Sequence, residues 1–211
     1  MDFNDASGAT LREVDKSERN GSPTRIVRAS RTYPTSQQDL WSALTEKERV
    51  VRWFADVSGD FKLGGRFAIR GNAEGEIITC EPPRTLSLTW EFSGNISWVR
   101  VTVEEAEDVA LLTLEHEMPT DEASEAHWAQ YGPGATGVGW EMAFLGLDVH
   151  LSGDGEPSLD AGAAWAEGTQ ARETFRTWSR AWGDAYVKAG APRQTANDMA
   201  DRCAAFYAGE S

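Results

Sequence analysis

The sequence predicts an α+β protein in which an antiparallel sheet packs against a long helix and further helices follow. Three observations carry this prediction. Five short segments with strand-like alternation follow one another between residues 66 and 117, separated by four brief turns, three of which contain glycine or proline. Residues 137–151 then carry apolar side chains at helical spacing. Beyond a polar segment, residues 169–208 hold two amphipathic helix patterns.

The same patterns predict the domain organisation. Residues 1–24 mix charged and small polar side chains without periodicity, which predicts a disordered tail. Residues 25–151 form the predicted domain, which opens with a strand at 25–33 and two short helices before the five strands and the long helix. Residues 152–168 are a linker by composition. Residues 169–208 are expected to form a C-terminal helical extension that packs on the long helix.

The segment before the long helix is polar and acidic, and we expect residues 119–136 to form a loop. Its end, GPGATG (132–137), matches the GxGxxG pattern of dinucleotide-binding folds. Those folds place the motif in a parallel βαβ unit, directly after a buried strand. Because the predicted sheet is antiparallel and a proline interrupts the motif, a flexible loop is the favoured interpretation.

The long helix has two apolar faces on opposite sides, one with Trp140 and Phe144 and the other with Val138 and Leu145. Glu141 lies on a charged edge between them, which is expected to face solvent. Glycine destabilises a helix by about 0.5–1 kcal/mol relative to alanine, so glycines here need a compensating contact. We therefore expect close approach of a neighbouring element along the remaining small edge, formed by Gly139, Ala143, Gly146 and His150.

Charge and cysteine content limit the partners and the compartment. The formal net charge is −14, which disfavours phosphate backbones and anionic membranes, so we expect no nucleic-acid and no membrane partner. No apolar run is long enough for a membrane span, and the N-terminal residues lack a signal-peptide pattern. The two cysteines, Cys80 and Cys203, are far apart and outside any CxxC pattern, which favours a cytoplasmic location.

Metal and nucleophile motifs are missing from the sequence. His116, His127 and His150 are the three histidines, and their spacing does not fit a zinc or iron site. No serine lies in GxSxG, and no motif pairs a cysteine with a histidine. We therefore expect no metal, no cofactor and no catalytic residue.

The order of elements resembles the helix-grip fold of the SRPBCC (START-like) superfamily. More narrowly, it resembles the branch described as homologues of the activator of the heat-shock chaperone ATPase. The resemblance covers about residues 25–151. It rests on residues 34–44 with Trp41, RWF (52–54), LGGRF (63–67), GEIITCEPPRTLSLTW (75–90), LLTLEH (111–116) and GWEMAFLGLDVHL (139–151).

The resemblance implies a cavity between the curved sheet and the long helix. His116 occupies an inward strand position where the family often places a histidine, either as a hydrogen-bonded core residue or as a ligand contact. An ordinary packed core is the alternative to a cavity. The expected cavity wall consists of Phe67, Leu88, Trp90, Trp98, Leu112, Leu114, His116, Trp140 and Phe144.

Three functions are compatible with these features. The leading hypothesis is a cytosolic protein that binds a small apolar or aromatic ligand in the cavity. The second is a chaperone-regulator-like interaction domain, with a protein partner or a homodimer. The third is a cyclase- or hydrolase-type enzyme, for which His116 and Arg100 are the candidate polar groups. Since two such groups are few for catalysis, the enzyme hypothesis is the less favoured one.

Overall fold

The computed structural model describes residues 10–153 and 164–210. The strands are β1 (Leu11–Arg19), β2 (Ser22–Tyr33), β3 (Val57–Gly59), β4 (Arg66–Ile69), β5 (Glu74–Glu81), β6 (Thr85–Phe92), β7 (Asn95–Ala106) and β8 (Val109–Pro119). The main helices are α1 (Gln37–Thr45), α2 (Lys47–Trp53), α3 (Glu122–Tyr131), α4 (Gly134–Ser152), α5 (Thr169–Lys188) and α6 (Arg193–Ala208).

The strands form one curved antiparallel sheet in the order β1-β2-β8-β7-β6-β5-β4-β3. From β3 to β8, strands that follow one another in sequence are neighbours in the sheet, so the predicted meander of five strands is confirmed as β4 to β8. The β6–β7 turn shows why the joints are short. Ser93 and Gly94 have φ values of 50° and 80°, the left-handed conformations of a tight hairpin turn. The prediction of an α+β helix-grip fold with appended C-terminal helices is confirmed.

The described residues separate into two compact units. One contains residues 10–29, 118–142 and 164–210, and the other contains residues 30–117 and 143–153. The domain limits predicted from the sequence differ from this division and stay predictions. Residues 154–163, the larger part of the predicted linker, lie outside the described residues. Within the described ranges, no helix combines the length and apolar character needed to cross a membrane.

In the unit of residues 30–117 and 143–153, local signals place the first helix. α1 begins after Ser36, whose side-chain oxygen accepts a hydrogen bond from the backbone N–H of Asp39 at 3.2 Å. Ser36 is therefore the N-cap of α1, as the serine directly before the helical pattern at 37–45 indicates. Leu40 and Trp41 on α1 are buried. A further apolar cluster joins α2 to the meander, and its buried members are Val50, Val57, Phe67, Ile69 and Ile77.

The second half of α4 makes the close approach that its small edge predicts. A Cβ placed on Gly146 would overlap the carbonyl oxygen of Trp53 at the end of α2. Trp53 is itself held in place, because its indole Nε1 donates to the carbonyl of Ala43 at 3.0 Å. The same half of α4 also carries Asp148, which forms a salt bridge with the buried Arg31 of β2. Burial raises the pKa of Asp148 to about 6 despite this partner.

Gly146→Ala should lower the free energy of unfolding by about 1–3 kcal/mol. Alanine gains about 0.5–1 kcal/mol in helix propensity, but its methyl group would overlap the backbone carbonyl oxygen of Trp53, so the backbone must shift to admit it. Urea denaturation of the two proteins measures the difference. Ser152→Ala, at the exposed end of the same helix, is the control and should change stability by less than about 0.5 kcal/mol. A more stable Gly146→Ala variant would show that this edge is open.

The predicted disordered tail is wrong for residues 11–24. Residues 11–19 form β1 at the edge of the sheet, and β2 begins at Ser22. Val14 is buried, whereas most other side chains of β1 are charged or polar. Charged side chains are typical of an edge strand because they discourage pairing with another chain. This composition is what made the segment look disordered. Residues 1–9 lie outside the described residues.

The predicted loop at 119–136 is also wrong. Residues 122–131 form α3, and the side chain of Asp121 caps it by accepting from the backbone N–H of Ser124 at 2.9 Å. The GPGATG motif is a buried corner between α3 and α4, not a flexible loop. Gly132 ends α3 with φ of 61°. A Cβ on Gly134 would lie 2.8 Å from the Sγ of Cys203, so α6 packs directly against this corner.

Glu141 does not face solvent as its position on the charged edge predicts; it is 1% exposed. Its Oε1 accepts from Trp182 Nε1 at 2.7 Å and from Arg12 Nε at 2.8 Å. Its Oε2 accepts from Arg12 Nη2 at 2.5 Å. Nearby, Gly137 leaves space that the indole ring of Trp182 fills. One carboxylate therefore joins β1, the first half of α4 and α5.

Candidate functional site: an apolar sheet face beside a buried histidine

The register of β6, β7 and β8 separates two faces of the sheet. Leu88 is the direct partner of Val99, and Val99 is the direct partner of His116. Directly opposed residues project to the same side of a sheet, so these three side chains share one face, here called the inner face. By the same register, the inner face also carries Leu86, Trp90, Ser97, Val101, Leu112 and Leu114.

Most of the predicted wall residues lie in the unit of residues 30–117 and 143–153. Phe67 joins the inner-face residues, because its ring centroid lies 6.5 Å from that of Trp90. Phe144 on α4 is buried in this unit. Trp140 is half-buried and belongs to the other unit. The structure therefore collects Phe67, Leu88, Trp90, Leu112, Leu114, His116 and Phe144 in one unit, and their role as a ligand-binding wall stays a prediction.

Trp98 does not belong to this wall, and its assignment is wrong. Its direct partners are Thr89 on β6 and Glu117 on β8. Since successive side chains of a strand point to opposite faces, Trp98 projects away from the neighbouring Val99 and His116. It lies on the opposite face of the sheet, here called the outer face. The alternation of β7 alone was sufficient to predict this.

The inner face is not evenly covered. Val99, Leu112 and Leu114, on β7 and β8, are buried. Leu88 and Trp90, on the neighbouring strand β6, are only half-buried. They are packed against the apolar cluster of α2 and β3–β5, as is Leu86, yet retain access to solvent. The inner face thus offers accessible apolar surface along β6.

A cavity of about 480 Å³ adjoins the same apolar cluster. Val51, Phe54 and Ala55 line it, and all three pack against that cluster. Asp56 and Arg70 complete its lining and are 3.3 Å apart as an exposed ion pair. The cavity therefore combines an apolar lining, which packs against the same cluster as Leu88 and Trp90, with one exposed ion pair.

The polar groups of the inner face are His116 and Ser97. The Ser97 hydroxyl donates to the carbonyl of Trp90 at 3.2 Å, so it accepts from the Nε2–H of His116 at 2.8 Å. The imidazole also meets the Trp90 ring edge-on, with centroids 5.9 Å apart. Burial lowers the pKa of His116 to about 4, which keeps the ring neutral at neutral pH. His116 is therefore a hydrogen-bonded core residue that supplies a neutral polar group beside Trp90.

The pair proposed for catalysis does not converge. Arg100 is opposed to Ser87 and Glu115 and is exposed on the outer face, while His116 is buried on the inner face. Among the residues that the structure describes, no group of three or more His, Cys, Asp or Glu side chains could hold a metal ion.

The low pKa of His116 should make the protein acid-sensitive in a defined window. The folded protein keeps this ring neutral down to about pH 4, while the unfolded chain takes up the proton below about pH 6.5. The unfolded state therefore binds more protons between these values, and the free energy of unfolding falls as the pH drops. Over two pH units this amounts to about 2–3 kcal/mol.

The check is a comparison with His116→Asn. The stability advantage of the parent protein over the variant should shrink by that amount between about pH 7 and about pH 4.5. The raised pKa of Asp148 changes the free energy of unfolding in the opposite direction as the pH falls. In this window the folded protein binds a proton at Asp148 more readily than the unfolded chain does. Asp148 is present in both proteins, so its effect cancels in the difference. A pH-independent difference would contradict a buried, neutral His116.

The fold and this site define a class of protein: the helix-grip proteins of the SRPBCC superfamily, in which an antiparallel sheet carries an apolar inner face and a long helix follows the last strand. The family model for Activator of Hsp90 ATPase homolog 1-like protein matches residues 34–152, and the chain belongs to this family. The resemblance inferred from the sequence is confirmed.

Solved structures support the same assignment. The crystal structure of CalU16 from Micromonospora echinospora is 30% identical, with a TM-score of 0.66, over 85% of this chain and 99% of that one. The solution NMR structure of CalU16 is 32% identical, with a TM-score of 0.69, over 87% and 97% of the two chains. CalU16 therefore resembles more of this chain than the family model covers.

A more distant structure, MLL2253 from Mesorhizobium loti, shows the fold alone. It is 24% identical, with a TM-score of 0.51, over 61% of this chain and 97% of that one. Among curated proteins, none matches this chain.

Proposed function

We propose that this protein binds a small, uncharged apolar or aromatic molecule against the inner face of β6. One observation carries the proposal: Leu88 and Trp90 are only half-buried and keep access to solvent, on a sheet face where Val99 and Leu114 are buried. Apolar surface that stays accessible inside a concave fold is typical of a ligand site. The cavity beside α2 supports the proposal, because its apolar lining belongs to the same cluster.

The polar groups indicate an uncharged ligand. His116 is neutral, and its hydrogen-bond partner Ser97 is a hydroxyl. A charged ligand group placed beside them would lose its hydration without gaining an opposite charge. An aromatic ring or an aliphatic chain against Trp90, with at most a hydroxyl that donates toward the neutral imidazole of His116, fits these groups.

The binding free energy sets a minimum size for the ligand. Micromolar binding corresponds to about 8 kcal/mol. At about 25 cal/mol per Å² of apolar surface, this requires more than about 300 Å² of buried area before any ordering cost. A single small ring is therefore too small, and a fused aromatic system or a long aliphatic chain is large enough.

The cysteines allow a direct test. Cys80 is the cross-strand partner of Leu86, so its half-buried thiol lies on the inner face next to the proposed ligand. Cys203 is fully buried between helices of the other unit and should react slowly. We expect a saturating amount of the neutral probe N-phenylnaphthylamine to slow the reaction of Cys80 with dithiobis(nitrobenzoate) by at least about fivefold.

The matched control moves the thiol by two residues. In a Cys80→Ser background, Ile78→Cys places a cysteine at a position that is exposed rather than half-buried, and the probe should not protect it. Equal protection of both thiols, or protection of neither, would contradict the proposed site. In that case the protein-interaction hypothesis suggested by the family's description would take its place.

A further inference from the structure

The outer face of the sheet carries a continuous row of residues at one end. Ile96 on β7 is opposed to Glu91 on β6, Glu91 to Glu74 on β5, and Glu74 to Ala68 on β4. Four strands thus contribute one side chain each to a single line. Trp98, which the sequence assigned to the cavity, is two residues from Ile96 on the same strand and shares the outer face.

This end of the sheet exposes apolar side chains beside a groove. Ile96 is 51% exposed on the outer face. Phe92 is 50% exposed at the end of β6, where it follows Trp90 by two residues and so belongs to the inner face. The groove has a volume of about 440 Å³ and lies between the β4–β5 and β6–β7 turns. Glu74 and Glu91 line it together with Ile96 and Phe92. Large apolar side chains exposed together at a groove are typical of an interaction surface.

The charges of the groove are unbalanced. Glu74 and Glu91 are directly opposed across the strands, an arrangement of like charges that destabilises a sheet. Arg66 offsets it mainly at Glu91, where its Nη2 lies 2.9 Å from Oε2 and lowers the pKa of that carboxyl. The same Nη2 is 4.0 Å from Glu74. The two carboxylates share one arginine, and a further cation would therefore be stabilised here.

We propose that this groove binds a basic segment of a partner protein, with an apolar side chain against Ile96 and cationic groups beside Glu74 and Glu91. Nucleic acids and anionic membranes do not fit, because the groove and the chain, with its net charge of −14, are acidic. A second copy of the chain would bring the same negative charge. The row lies on the face opposite Leu88 and His116, so this inference does not depend on the proposed ligand site.

Fluorescence anisotropy with the full chain tests the proposal, using a labelled peptide of four Lys-Leu repeats as the probe. We expect binding that weakens when salt is raised from about 50 mM to about 300 mM. Peptides of Glu-Leu or Lys-Ser repeats should bind at least about fivefold more weakly, because each lacks one of the two features that the groove recognises.

Variants locate the binding. The double variant Glu74→Gln with Glu91→Gln, and separately Ile96→Ser, should each weaken binding of the Lys-Leu peptide by at least about fivefold. Glu104→Gln is the matched control, because Glu104 is an exposed carboxylate farther along β7 and should have no effect. Melting temperatures of all variants establish that they fold.

Three results would overturn the proposal: no binding of the Lys-Leu peptide, an equal loss with Glu104→Gln, or unchanged binding in both groove variants. Light scattering adds a fourth. Self-association of the parent chain that Ile96→Ser abolishes would show that the groove holds a second copy instead.

Discussion

Glu141→Leu should lower the free energy of unfolding by about 3–5 kcal/mol, the effect expected when one member of a buried ion pair is removed. The carboxylate is the shared acceptor for Arg12 and Trp182. Its loss leaves a largely buried guanidinium without its main counter-charge and an indole N–H without its acceptor. The loss should be seen in urea denaturation and should weaken the attachment of both β1 and α5, because Arg12 and Trp182 both donate to this one carboxylate.

A double variant separates the ion pair from simple packing. Combining Arg12→Met with Glu141→Leu removes both charges and should recover much of the lost stability, since the main penalty is an uncompensated buried charge. Asp184→Ala is the surface control. Asp184 pairs with Arg193 at 3.2 Å, but both side chains are exposed, so its removal should change stability by less than about 1 kcal/mol. If Glu141→Leu behaves like Asp184→Ala, the buried pair contributes little.

Leu88→Trp should weaken binding of N-phenylnaphthylamine by at least about tenfold, while the protein remains folded. Leu88 is half-buried, so the larger side chain can occupy the accessible space that we assign to the ligand. Two variants serve as controls. Leu112 lies on the same face but is fully buried, so Leu112→Trp should destabilise the fold by about 1–3 kcal/mol. Ser87 is next to Leu88 on the outer face, so Ser87→Trp should leave binding intact.

These variants also distinguish a ligand site from a packed core. If Leu88→Trp unfolds the protein as Leu112→Trp does, the space beside β6 is too small for a ligand. If Leu88→Trp folds and binds the probe as tightly as the parent, the probe binds elsewhere. Fluorescence titration of the probe and thermal unfolding, measured on the same samples, separate these outcomes.

Much of the candidate site followed from the two-residue period of the strands. Alternation grouped Leu88 with Trp90 on one strand and Leu112 with His116 on another, and the register places both groups on one face. Trp98 was assigned to the same wall because it is large and apolar. It is adjacent to Val99 in the strand, however, and adjacent side chains point to opposite faces of a sheet. The uneven burial of that face could not be predicted, because it depends on which side chains of α2 and β3–β5 reach β6.

The amino-acid sequence by itself determined the meander, the cap at Ser36 and the close contact at Gly146, because each depends on neighbours in the chain or on the size of one residue. Only the tertiary structure decided that Glu141 is buried. Its partner Arg12 is 129 residues away, and a charge on a helix edge carries no information about such a distant partner. The same limit applies to β1. Its charged side chains resemble those of a disordered tail, and only its pairing with β2 at the edge of the sheet shows that the segment is a strand. Local periodicity reports on local structure, whereas the pairing of distant polar groups depends on the path of the whole chain.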